Sequence, residues 1–481
     1  MTKEIESEDK GTGDDLLITE TGTSFRDRVS TIGKKGGRVW VYPTKPKGAF
    51  HRARVIVSIF LLGLFYGLPF FKPGGEPFLL LNMIERKFII FGMHFYPQDF
   101  YIFALGFLAL FIFIVLFTAV YGRLWCGWAC PQTVFMEMIF RKIEYFIEGD
   151  APKQRKLNTS PMSFNKFIRK SLKHFIFFAI SVSIVIFFTA YIVGIDEVGR
   201  LLGSFPGENA GVMIAFIILA GAVYFIFSWF REQACTMVCP YARLQSVLLD
   251  KNSIVVSYDN VRGEPRGKMK EGTVAQGNGD CIDCGNCVRV CPTGIDIRNG
   301  VQLECVNCTA CIDACDSIMA KISKPKKLIR YASFNQINLG TKFRFTPRVI
   351  IYTVLLAALI GIVTFIITTR SDVTATIVRA RGTLFQEAPD GTISNLYLVK
   401  LVNKMPEKIN VELKLEDIQG KIELAGKTNT MLEPDAISEI EFFVRINKNK
   451  LDGMKSNIYI GIYSNDKRLD KIKTTFIGPN K

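Results

Sequence analysis

No cysteine lies after residue 315, and all 12 in the chain fall in tight groups before it. A disulfide framework spread along the chain is therefore excluded, and the last third must hold its core without a staple. Histidine is scarce, at 3 residues, which leaves few imidazoles for haem or zinc. No short apolar core follows a basic start, so no signal peptide is expected. Acidic residues are the minority, 44 Asp and Glu against 60 Lys and Arg, for a net charge of +16. Such a balance can mean nucleic acid. The mean hydropathy is nevertheless positive, at +0.22, so charge and apolar residues must be segregated. In a membrane protein a basic balance is the positive-inside bias, and that reading leaves nucleic acid out. No carboxylate chain runs through the apolar segments, which argues against a pump or transporter.

What the chain has is cysteine in triplets. Cys281, Cys284 and Cys287 are followed by Cys291 and Pro292; Cys305, Cys308 and Cys311 are followed by Cys315 and Asp316. This is the C-x-x-C-x-x-C-x-x-x-C run of bacterial ferredoxins, written twice. Zinc sites use separated pairs instead. In such runs the fourth cysteine ligates the other cluster. The spacing thus assigns one 4Fe-4S cluster to Cys281, Cys284, Cys287 and Cys315. The second takes Cys305, Cys308, Cys311 and Cys291. Crossed ligation means that neither half folds well alone.

Five apolar runs are long enough to span a bilayer: about 55–71, 100–121, 175–193, 212–230 and 349–368. Lys and Arg concentrate in the N-terminal tail, in 141–173 and in 231–347, which places these parts in the cytoplasm and the C-terminus outside. The expected divisions are a flexible tail over 1–50, four spans over 51–250, a cluster segment over 251–330, a fifth span over 349–368 and an outer domain over 372–481. Residues 133–147 read as an amphipathic helix with Met136, Phe140, Ile143 and Ile147 on one face. In the outer domain period-two runs begin at Leu396, Ile409, Ile440 and Ile458, with turn residues such as Asp390-Gly391 between them. They predict a small β-sandwich.

The second and fourth spans both end in C-x-x-x-C-P: Cys126, Cys130 and Pro131, then Cys235, Cys239 and Pro240. An i,i+4 pair is expected on one helix face, with the proline opening a new helix. Four thiolates meeting at the membrane boundary suit Cu(I), an iron–sulfur cluster or a dithiol/disulfide couple. The plainer reading, buried cysteines acting as small hydrophobes, does not account for the repeat at one depth. Met237 could add a thioether, though such a residue more often packs against lipid. His51 and His174, near the starts of spans one and three, could in principle face one another across a haem, but read more simply as interfacial residues. His94, in an outer loop, shows no partner in the sequence. Trp125 and Trp128 read as interfacial anchors. Arg243, Arg262, Arg266, Lys268 and Lys270 could dock an acidic protein or anchor to anionic lipid.

This order of parts resembles the CcoG (FixG, RdxA) family of accessory proteins of cbb3-type cytochrome c oxidase. The resemblance rests on Trp125-Cys-Gly-Trp-Ala-Cys130-Pro-Gln-Thr133, Ser257-Tyr-Asp259, Arg262-Gly-Glu-Pro-Arg266, Pro292-Thr-Gly-Ile-Asp-Ile-Arg298 and Cys315-Asp316. It implies a five-helix transmembrane bundle in the bacterial inner membrane, a cytoplasmic two-cluster ferredoxin-like domain and an outer immunoglobulin-like β-sandwich. It implies two 4Fe-4S clusters, with Cys126, Cys130, Cys235 and Cys239 as a catalytic redox or copper site that reduces Cu(II) to Cu(I). The implied partners are the oxidase subunits or their copper chaperones, with a cytoplasmic donor of flavodoxin or ferredoxin type. A quinol-linked polyferredoxin feeding a periplasmic reductase is the alternative, and a requirement for menaquinol would favour it. A non-catalytic chaperone is a third reading.

Overall fold

A computed structural model describes residues 38–479, apart from 84–86, 96–98, 204–209, 269–276, 343–345, 370–372, 381–383, 390, 404–407, 427–429, 434–436, 452 and 465–466. Most of the tail expected over 1–50, with Lys34 and Lys35, lies outside the described residues, as do Lys270 and Asp390. Five described helices are long and apolar enough to cross a membrane: Ala49–Phe70, Phe100–Tyr121, Phe164–Val193, Ala210–Phe230 and Pro347–Thr368. Their faces are largely unburied, with no more than 22% of any apolar window packed inside the protein, as lipid-facing helices require.

The chain divides into two compact units. The first holds the described residues up to Leu80 and Leu105–Ile360. The cluster segment therefore shares a unit with the first, third and fourth spans, most of the second and the first part of the fifth. After the second span the chain does not leave at once. It turns through Leu124–Trp128 and packs back as Pro131–Phe135, Met136–Phe140 and Arg141–Ile147. The middle piece is a π-helix, a bulge common at functional sites. Phe135, Met136 and Phe140 enter a core with Phe177, Ile184 and Phe227 of spans three and four. Phe140 stacks flat on Phe227 at 4.6 Å between centroids and meets Phe177 edge-on at 4.8 Å. The expected apolar face is there. The flank beside it is buried too, with Arg141, Glu144 and Glu148, whereas Lys142 and Phe146 on the far side are exposed.

The cluster segment is closed by an antiparallel pair, Val255–Tyr258 with Ile329–Ala332, over a core that includes Val256, Ile297, Ile312, Met319 and Leu328. Helix Ala310–Lys321 fastens it to the first span. The Asp313 carboxylate accepts from the backbone N–H of Phe50 at 3.2 Å and of His51 at 2.7 Å, capping two of the free N–H groups at that helix start. A Cβ at Gly48 would meet Asp313 Cγ at 2.1 Å, so glycine is needed there.

The second unit holds Leu81–Ala104 and Gly361–Lys481. In the first of these segments a short antiparallel hairpin pairs Lys87–Ile90 with Met93–Phe95. His94 on this hairpin is 6% exposed and is not isolated, contrary to the sequence reading. The rest is a two-sheet sandwich. One sheet has the order Gly420–Leu424, Ile437–Asn447, Thr392–Asn403, Val373–Arg379, and the other Glu412–Leu415, Lys455–Ser464, Lys467–Ile477. Tyr397, Val399, Leu401, Phe442, Val444, Ile458, Ile460 and Phe476 fill the space between them. Tyr397 donates its hydroxyl to the Thr475 carbonyl at 2.9 Å, linking the two sheets where a disulfide is absent.

Candidate redox site

Each triplet wraps around a cavity. Cys281, Cys284, Cys287 and Cys315 line one, with Tyr258, Ile318, Met319, Leu328 and Ile329 closing it. Cys305, Cys308, Cys311 and Cys291 line the other, and Cys287 borders this one as well. The backbone reason is a repeated pattern of left-handed residues. Asp283 (φ 50°) and Gly285 (φ 67°) flank Cys284, and Asn307 (φ 53°) and Thr309 (φ 64°) flank Cys308 at the same offsets. Non-glycine residues in this region cost on the order of 1–3 kcal/mol each and persist only where the surroundings over-determine them. Here they do. Asp283 is paired with Arg298, and the Asn307 side-chain oxygen accepts from the Val256 N–H at 3.3 Å. These turns bring thiols from a short segment to one centre.

The donor set and the wall suit a cubane cluster. Burial pushes the Cys287, Cys305 and Cys315 thiols up to about 12 and the Cys308 thiol up to about 11. Thiols so buried stay protonated unless a metal takes the proton's place. Cys284 alone of the eight is exposed, so the first cavity has an edge toward solvent.

The four cysteines of the C-x-x-x-C-P units also come into one neighbourhood. Cys126 interacts electrostatically with Cys130 and Cys239, and Cys235 with all three others. Burial pushes both Cys126 and Cys235 up to about 12. Cys126 Sγ donates to Gln245 Oε1 at 3.1 Å, and Gln245 is fully buried. Neither pair sits on one helix face. Cys126 is within Leu124–Trp128, whereas Cys130 has extended backbone and caps the next helix, which Pro131 opens. Cys235 lies in the π-helix Ala234–Val238, and Cys239 is likewise extended before Pro240. Proline disfavours helical backbone in the residue before it, and that breaks the expected i,i+4 arrangement. Among the described residues no three Cys, His, Asp or Glu groups stand close enough for a single ion. Met237 is 39% exposed.

The cysteine pairs press on the second cluster cavity. A Cβ on Gly127 would lie 2.5 Å from the Val306 carbonyl oxygen and 2.6 Å from that of Asn307. Arg54 donates to the Gly127 and Cys308 carbonyls, both at 3.0 Å. Arg123 donates to the Ala242 carbonyl at 2.6 Å, to the Leu303 carbonyl and to the Cys305 carbonyl at 3.4 Å. Trp128, read as a membrane anchor, instead donates from Nε1 to the Tyr331 hydroxyl at 3.0 Å. A cleft joins Cys235 to Thr293 and Val306, and the Thr293 hydroxyl stands 3.4 Å from Cys291 Sγ.

Behind the fourth span runs a network of buried ion pairs that sequence reasoning missed. Arg231 meets Glu144 at 2.7 Å, and Arg141 meets Glu137 at 3.0 Å and Glu232 more closely still. Lys173 reaches Glu144 at 3.6 Å and Glu148 at 2.9 Å. The available signal was an arginine just before each cysteine pair, Arg123 and Arg231. His51 sits beside Asp313, while His174 bonds to Tyr224 at 2.8 Å, so the structure gives them separate neighbours. Arg262 is not free for docking. It pairs with Asp280 at 2.5 Å and donates to the Lys326 carbonyl at 3.0 Å, and Arg266 faces Glu264 at 3.7 Å.

Comparison with known proteins bears on this geometry. Residues 230–334 match the 4Fe-4S dicluster domain, 103–149 a 4Fe-4S binding domain, and 363–479 the IG-like fold at the C-terminus of FixG. The nitrogen fixation protein FixG of Rhizobium meliloti is 32% identical over 90% of this chain and 91% of its own length. The chain belongs to the FixG family. Within it, protein RdxA of Cereibacter sphaeroides is 33% identical over 80% of this chain and 83% of its own, and RdxB of the same organism 33% identical over 76% and 80%. Like other FixG-family chains it is a membrane-associated 4Fe-4S electron-transfer protein with an immunoglobulin-like domain at its C-terminus.

Proposed function

We propose that this chain reduces Cu(II) to Cu(I) at Cys126, Cys130, Cys235 and Cys239 and so supports maturation of a cbb3-type cytochrome c oxidase. The observation that carries the proposal is the convergence of these four cysteines beside the second cluster cavity. Cys281, Cys284, Cys287 and Cys315 would hold one cluster, with the exposed Cys284 edge open to a donor, and Cys305, Cys308, Cys311 and Cys291 the other; such clusters would supply one-electron transfer, and Cys287 borders both cavities. Thiolates favour Cu(I) over Cu(II), so the ligands draw the one-electron step forward. The N-terminus and clusters face the cytoplasm in this reading, where a flavodoxin or ferredoxin would meet Cys284, and the sandwich faces outward toward the oxidase or its copper chaperones. The test is copper in the oxidase of cells carrying Cys126→Ser and Cys235→Ser. Depleted copper with normal levels of this protein supports the reading; full copper contradicts it.

A third cluster at the four cysteines is a second reading, favoured by the match of 103–149 to a 4Fe-4S binding domain. Iron per chain separates the two: about eight atoms for two cubanes, about twelve for three.

A further inference from the structure

A cavity of about 680 Å³ opens between the start of the third span and the end of the fourth, and the copper-reduction reading makes no use of it. Its walls mix two chemistries. Trp40, Tyr42, Tyr224, Phe225 and Trp229 supply aromatic faces. His174, Ser228, Gln154 and Asn158 supply hydrogen-bonding groups. Three cations face two carboxylates, and each cation is already engaged: Lys170 and Lys173 share Glu148 at 2.9 Å, and Arg231 holds Glu144 at 2.7 Å. An anionic headgroup would therefore have to compete with Glu144 and Glu148 for each of them. The walls suit a neutral planar ring with polar substituents and an apolar tail.

The position selects among such molecules. Arg231 lines this cavity and also the cleft that holds Cys235 and Thr293. One side chain thus separates the ring's seat from the membrane cysteines, and Thr293 contacts Cys291 of the second cluster set. A bound ring would lie one side chain from the cleft that reaches Cys235 and Thr293, which is where a redox ring has work to do and a structural lipid has none.

We propose that this cavity binds the head of a membrane hydroquinone and is a second entry for electrons, besides the Cys284 edge. The proposal rests on the electron-transfer reading above and names a donor for it. One hydroquinone gives up its two O–H protons and two electrons. The electrons reduce the two clusters by one each, and the ring leaves as the quinone. One proton passes to the His174 ring nitrogen not engaged by Tyr224, and the other to Glu148, and both continue to water.

The test runs the exchange in reverse, from clusters to quinone, on the full chain in lipid nanodiscs, because one cavity would serve both directions. Clusters are reduced with dithionite, excess reductant is removed, and menaquinone-1 is added anaerobically while cluster absorbance is followed. Quenching of tryptophan fluorescence by the same quinone reports binding without chemistry, since Trp40 and Trp229 line the cavity. Saturable quenching and saturable cluster reoxidation are expected. Ser228→Phe, which fills the cavity, is expected to abolish saturation in both. His174→Phe is expected to weaken binding about tenfold, the equivalent of about 1.4 kcal/mol. An unchanged dithionite-reduced spectrum shows that each variant is folded and loaded. Quenching that never saturates, or is equal in Ser228→Phe, reports partitioning into the bilayer only and overturns the proposal. Cu(II) reduction by dithionite-reduced wild-type protein bypasses the cavity, so its failure would contradict the copper reading and leave this one standing.

Discussion

At the scale of single residues, close approaches set what can change. Gly127 lets the first cysteine pair lie against the backbone of Val306 and Asn307. Gly127→Ala puts a methyl where those carbonyls stand, and carbonyl backbone cannot swing aside as a long side chain can. The expected cost is about 1–3 kcal/mol, as for other overpacked sites. Thermal unfolding in detergent reads it, and the iron of the second triplet should be released first. A second prediction concerns Cys315. It shares a cavity with three cysteines near 281–287 although it closes the other triplet. Cys315→Ser should therefore impair the cluster of Cys281, Cys284 and Cys287 and leave the other set's four thiols in place. EPR of the reduced protein distinguishes the two, and loss confined to the Cys305 set would contradict the crossed assignment.

At the scale of elements, the buried ion pairs on Pro131–Ile147 and the end of the fourth span set the acid limit of the fold. Burial alone would raise the Glu144 carboxyl, but Arg231, Lys173 and Arg141 hold it below its ordinary 4.5. A carboxyl depressed in the folded state contributes stability that is complete above its unfolded value and is lost as pH falls through the folded one. Glu144→Gln should therefore flatten the acid limb of stability. At neutral pH it leaves Arg231 short of a partner and should cost about 3–5 kcal/mol. Thermal scans of both proteins across the acid range check the sign; parallel curves would contradict it. This network marks where the sequence stops being legible. The spans are legible because each is a long apolar run, and the triplets because ligand spacing is local. Whether Glu144 faces water or Arg231 depends on a partner 87 residues away, and an amphipathic pattern cannot report that. The sandwich shows the same limit. The strand Lys467–Ile477 carries Lys467, Lys471 and Lys473 and fully buries only Phe476, so its apolar period is faint, and Gly420–Leu424 is exposed except at Ile422. The strands Thr392–Asn403 and Ile437–Asn447 lie between neighbours and have the strong alternation that reveals them.

At the scale of the molecule, the cluster segment and both cysteine-bearing span ends lie in one compact unit, and that is what places two sets of thiols side by side. Arg54 and Arg123 tie the membrane end to the Cys308 and Cys305 carbonyls, and Trp128 ties it to the Tyr331 hydroxyl, which donates to the Asn307 carbonyl. Removing the fastening should slow electron passage without removing a ligand. Trp128→Phe keeps the ring and loses the bond to Tyr331, and is expected to slow copper-driven cluster reoxidation while iron content holds. The central claim is that electrons leave the clusters through the four membrane cysteines to copper. The direct measurement takes dithionite-reduced protein freed of excess reductant, adds Cu(II) anaerobically, and follows cluster reoxidation and Cu(I) together. The account predicts one Cu(I) for each electron lost by the clusters, with the reaction abolished by Cys126→Ser and Cys235→Ser. Cu(I) formation at the same rate in those variants, or none from fully loaded wild-type protein, would contradict it.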